Sequence, residues 1–139
     1  MSKLRLRIVT CLMGLVVLAN SVPTFAASTT SGQSSGGSAG YANCNGSITV
    51  QQGGFWSNDS ATAYTSADAT GTYGVAAVVW YNDGSSEKTQ YADKIVNNST
   101  GQISVTSEAP NDYGNKGTGG HTYSSSIRGS WSGSTSQYF

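Results

Sequence analysis

Tyr73-Gly74-Val75-Ala76-Ala77-Val78-Val79-Trp80-Tyr81 is the stretch that decides the fold. Read with a period of two, Tyr73, Val75, Ala77, Val79 and Tyr81 point one way, and Ala76, Val78 and Trp80 the other. β-Branched and aromatic side chains fit a pleated surface and lose rotamer freedom in a helix, so the stretch reads as a strand. A strand apolar on both faces is expected to be central and covered, at least in part, on both sides. Asn82-Asp83-Gly84 follows as a turn signature, and residues 87–96 are expected to return antiparallel beside it.

Weaker alternations lie on either side. Ser47-Ile48-Thr49-Val50-Gln51 reads as an early strand, closed by a turn at Gly53-Gly54. Residues 61–67 set Thr62, Tyr64 and Ser66 against small alanines. Asn97-Asn98-Ser99-Thr100-Gly101 predicts a turn into residues 102–107, where Ile103 and Val105 share a face. Residues 110–120, rich in Gly, Asn and Asp, read as a loop. Residues 122–131 read as one strand, with Tyr123, Ile127 and Trp131 on its inner face and hydroxyls outside. Six or seven short strands of this kind predict an all-β fold: a single small antiparallel β-sandwich or a partly closed barrel.

The chain divides sharply near its start. Every leucine and methionine lies before residue 19. Lys3, Arg5 and Arg7 open the sequence, an apolar run occupies residues 8–19, and Thr24-Phe25-Ala26 fits a small-x-small cleavage site. That is the layout of a secretory signal peptide over residues 1–26, too short and too soon broken by Pro23 to read as a spanning helix. A secreted, extracellular protein with no transmembrane segment in its mature form is expected. Residues 27–40 (ASTTSGQSSGGSAG) are of low complexity and read as a flexible leader, which places the domain at residues 41–139.

Three of the seven basic residues belong to the signal, so the body is mildly acidic and poor in charge. It offers no stripe of cations to neutralise phosphates, which argues against nucleic acid as a partner. Of the two cysteines Cys11 lies in the signal, leaving Cys44 without an intrachain partner, buried as a small apolar residue or paired with another molecule.

Catalytic material is sparse. His121 is the only histidine, and Gly119-Gly120 before it suggests a surface or strand-start position, not a held base. No Gly-x-Ser-x-Gly elbow occurs, and Cys44 has no feature that lowers a thiol pKa. Asp83, Glu87 and Asp112 sit where turns need them, in no spacing that suits a metal. Neither an enzyme nor a cofactor or metal is expected. The aromatics are the better functional material: Phe55-Trp56 falls in turn sequence, and aromatics beside Asn and Asp are a common way for sheets to hold sugars. Phe55, Trp56, Trp80 and Tyr81 are the candidate contact residues.

A signal peptide, a Gly/Trp/Tyr-rich body without an intrachain disulfide, the piece Ile95-Val96-Asn97-Asn98-Ser99-Thr100-Gly101 and the aromatic end Tyr138-Phe139 together resemble the lactococcin-type bacteriocins. These are small secreted β-sandwich proteins of Gram-positive bacteria. The resemblance implies a non-enzymatic action on the envelope of neighbouring bacteria. The expectation from the residues themselves is a secreted, non-enzymatic protein that binds or assembles at the cell exterior. Its partners would be a cell-surface or envelope component, such as a glycan or wall precursor, or further copies of itself.

Overall fold

A computed structural model describes residues 27–54, 57–110 and 113–139. Six strands run as β1 (Ser28–Gln33), β2 (Asn43–Gln51), β3 (Ser60–Asn82), β4 (Glu87–Glu108), β5 (Gly114–Ser125) and β6 (Gly129–Tyr138). All pairings are antiparallel, in the order β1-β2-β3-β5-β6, with β4 on the second edge of β3. The fold is all-β, as the sequence predicts. Among the described residues no helix is long and apolar enough to cross a membrane.

β3 organises the sheet. Residues 60–67 pair with β2, residues 72–81 pair with β5 on the same edge, and β4 follows the other edge throughout. The two strands expected at 61–67 and 73–81 are therefore one, bent between its halves. Its register with β4 slips on both sides of Gly71, and β4 answers with positive φ at Asn98 (52°) and Gly101 (88°). These local departures turn the ladder without ending it. The bend is held from inside. Tyr73 donates its hydroxyl to the carbonyls of Ala67 (3.1 Å) and Ala69 (2.7 Å), and Tyr123 donates to that of Thr70 (3.1 Å). Their rings meet edge to face, centroids 5.5 Å apart, which adds to what their burial contributes.

Bending brings the two halves of the sheet face to face around one core. Ile48, Val50, Ala61 and Ala63 come from one half and Tyr73, Val75, Val79 and Tyr123 from the other, all buried. Gly117 of β5 leaves the space that Val50 and Ala61 fill. At the open side Ser35 N donates to Ser130 O (2.8 Å), Gly36 N to Arg128 O (3.1 Å), and Ser130 N to Ser35 Oγ (3.0 Å). The Trp131 indole lies against Gly32. The sheet is thus nearly closed into a barrel.

Three expectations need correction. Residues 27–40 hold β1, which pairs with β2 from Ser28–Ile48 to Gln33–Asn43, followed by a turn bonded to β6. A low-complexity strand adds little burial, but backbone pairing needs no side chains and uncrowded Gly32 admits Trp131. Residues 114–120 are strand, not loop, because Gly114 leaves room for Phe139 and Asp59, and Gly117 for Val50 and Ala61. Residues 122–131 are not one strand: a turn at 126–128 divides them, and Tyr123 and Trp131 meet as a cross-strand pair. The outer face of β3 is half-buried at Ala76, Val78 and Trp80, in keeping with the expectation of at least partial cover on both sides.

Candidate functional site

His121 lies inside the barrel, 1% exposed, in the middle of β5. The expectation of a surface or strand-start histidine is overturned, because Gly46 on the facing strand leaves room for the imidazole that any side chain would take away. Its Nδ1 is 3.0 Å from Thr65 Oγ1 and its Nε2 is 2.8 Å from Thr135 Oγ1. Thr65 spends its one hydroxyl proton on the Gly74 carbonyl (3.0 Å), so Nδ1 carries the ring proton and Nε2 accepts from Thr135. Burial lowers the pKa of the ring, opposed in part by the backbone of Tyr64 nearby. A buried neutral imidazole with both nitrogens engaged is a structural link across the core.

Cys44 is likewise sealed, 1% exposed and free. Burial first, and the nearby Asp68 carboxylate second, push its pKa up to about 11. A thiol in that state is neither a nucleophile nor a ready partner for a disulfide. Asp59 is buried as a tie: Oδ1 accepts from Gly53 N (2.6 Å) and Oδ2 from Gly114 N (2.7 Å). Asp83 serves the hairpin turn, ion-paired with Lys88 and accepting from Ser85 N and Ser86 N. Among the described residues no three His, Cys, Asp or Glu side chains are grouped to hold a metal.

The candidate contact residues separate. Phe55 and Trp56 lie outside the described residues. Tyr81 is buried at 7% exposure and packs in the core, which corrects its assignment as a contact. It falls on the same side of β3 as Tyr73 and Val79, and that side faces inward. Trp80 faces outward, half-buried, with Nε1 donating to Thr118 Oγ1 (3.3 Å) and Lys116 Nζ 5.0 Å from its ring centroid.

Trp80 belongs to an outer face that strand register defines row by row. Across β4, β3, β5 and β6 the rows are Ile95–Gly74–Thr122–Ser132, Asp93–Ala76–Gly120–Ser134, Tyr91–Val78–Thr118–Ser136 and Thr89–Trp80–Lys116–Tyr138. Tyr91 (59%), Ile95 (70%) and Tyr138 (69%) stand out into solvent. Small residues floor a trough of about 300 Å³ between Tyr91 and Ile95 on one wall and Thr122 and Ser132 on the other. Sequence reasoning missed Tyr91 and Tyr138. Tyr91 sits among polar residues in a strand whose partner decides its facing, and nothing in the local pattern announces it.

Comparison of the chain with protein-family models, with curated proteins and with solved structures found no match in any of the three. The outer face is therefore read from its own chemistry.

Proposed function

We propose that this is a secreted, non-enzymatic protein that binds a component of the cell exterior through the outer face of β3, β4, β5 and β6. One observation carries the reading. The chain leaves Tyr91 and Ile95 exposed beside a small-residue floor, with Tyr138 exposed further along the same sheet face, and large apolar side chains on one face commonly mark an interaction surface. The sealed states of His121 and Cys44 support binding over catalysis, because the two most reactive side chains of the body face the core. Trp80 and the neighbouring Lys116 extend the face toward Tyr138.

The test is sedimentation of the purified protein with whole Gram-positive cells and with isolated cell walls. The protein is expected in the pellet, and Tyr91→Ala combined with Tyr138→Ala should weaken retention by about tenfold, the usual scale for removing aromatic contacts at the centre of an interface. Protein left in the supernatant at micromolar concentration with both preparations would sink the proposal.

A further inference from the structure

A glycine inside a strand packs nothing and loses more freedom on folding than any other residue, so its presence often marks a place where another group comes close. Most strand glycines here answer to the interior. A Cβ at Gly119 would stand 2.6 Å from Thr135 Oγ1, one at Gly117 2.6 Å from Val50, and one at Gly133 2.8 Å from both Thr30 and Trp131. Gly101 and Gly129 have positive φ. Gly120 has neither reason. Its φ lies outside the left-handed region, and a Cβ there would meet only that of Ala76, at 3.7 Å, an ordinary contact. The side chain it lacks would project into the outer trough over Gly74 and Ala76. The fold has no use for this glycine; the trough has.

The trough continues along the strands. The next row is Thr72–Ser124–Ser130, which opens into a cleft of about 720 Å³ at the bend of the hairpin. Serine, threonine, asparagine and glycine line that cleft together with Ile127, and among the described residues no charged side chain does. Among the described residues, two of its hydroxyls are hydrogen-bonded, Thr72 to Asn97 Oδ1 (3.1 Å) and Ser125 from Ile127 N (3.4 Å). From Thr72 to Trp80 the path is about 26 Å long at roughly 3.3 Å per residue.

The geometry points to a linear, neutral oligosaccharide lying along β3, with its hydroxyls in the cleft at Ser124 and Ser130 and one ring resting on the bare backbone of Gly120 beside Tyr91. This rests on the reading of the same face as the contact surface and names its ligand. A sugar ring presents C–H faces to apolar and aromatic walls and hydroxyls to polar ones, which is how this path is lined. Asp93, at the end of the Gly120 row, offers a carboxylate that accepts hydrogen bonds from such a ligand's hydroxyls. An anionic polymer would need a run of cations, and among the described residues trough and cleft offer only Lys94, next to Asp93.

The experiment titrates the protein with soluble oligomers of glucose and of N-acetylglucosamine of increasing length, and with poly(glycerol phosphate), by calorimetry and tryptophan fluorescence. Affinity for one neutral series is expected to rise at least about tenfold from disaccharide to the longest oligomer. Gly120→Val, whose Cβ the spacing to Ala76 accommodates and whose methyls would enter the trough, is expected to melt no lower than the native protein and to bind at least about tenfold more weakly. Should that variant fail to fold, Ser124→Val with Ser130→Val, both exposed and strand-compatible, asks the same question. Equal binding by the native protein and these variants, binding of poly(glycerol phosphate) alone, or binding of no oligomer would overturn the inference. Sedimentation with cells separates the two readings. Native protein that pellets with cells but ignores every oligomer leaves the contact face standing without this ligand; protein that does neither loses both.

Discussion

A buried imidazole with a hydroxyl on each nitrogen resists a second proton, and His121 thereby couples the stability of the barrel to pH. Its pKa in the folded chain lies below the ordinary 6.5 because burial disfavours the cation. As pH falls below about 6.5 the unfolded chain takes up a proton that the folded chain refuses, so stability present above that value is lost as pH falls through the folded pKa. Melting temperature should therefore drop between about pH 7 and pH 5, and His121→Gln should lessen the drop while lowering stability overall; thermal scans across that range decide it. An acid profile unchanged by the substitution would remove His121 as its cause. The sequence shows that His121 is the only histidine, but not that Gly46, Thr65 and Thr135 surround it. Those residues lie far apart in the chain and meet only through the pairing of β2, β3, β5 and β6. Cys44 is free among the described residues, as expected if Cys11 belongs to a signal peptide, a reading that needs no fold.

At the scale of elements, the bent hairpin of β3 and β4 decides where every other strand can go. Tyr73→Phe keeps the ring and its edge-to-face contact with Tyr123 and removes the two hydrogen bonds to the bend carbonyls. It is expected to lower unfolding free energy by roughly 1–2 kcal/mol, read from urea denaturation, because carbonyls at a partly buried bend lose their donor. A midpoint equal to that of the native protein would show that the bend holds without them. The strand at residues 73–81 was legible because its period-two pattern is long and its residues are β-branched or aromatic. Its continuity with residues 60–67 was not, because Asp68, Thr70 and Gly71 read as a break when only their local propensity is counted. The hairpin of β5 and β6 was hidden likewise. Ser125 to Gly129 keeps an alternating pattern through a turn, and only the pairing of Tyr123 with Trp131 reveals the reversal.

The whole molecule depends on closure, which joins its first strand to its last. β1 has few apolar atoms, yet the segment from Ser28 to Gly36 supplies a full ladder to β2 and the bonds from Ser35 to β6 and from Gly36 to Arg128 just before it. Removing residues 27–40 is expected to cost roughly 2 kcal/mol or more and to lower the melting temperature by several degrees, as followed by tryptophan fluorescence. A truncated protein that melts with the native one would show that closure contributes nothing. The sequence by itself determined the class: β-branched and aromatic composition, two-residue periodicity and turn residues leave only an antiparallel all-β fold. Those signals are local, carried by each residue and its near neighbours. The tertiary structure alone decided which face of each strand is inside, that a low-complexity segment is a strand, that Tyr81 is core while Tyr91 is surface, and that Gly120 floors a trough. Each of these depends on which strands lie side by side, and pairing between distant segments leaves no mark on either segment alone.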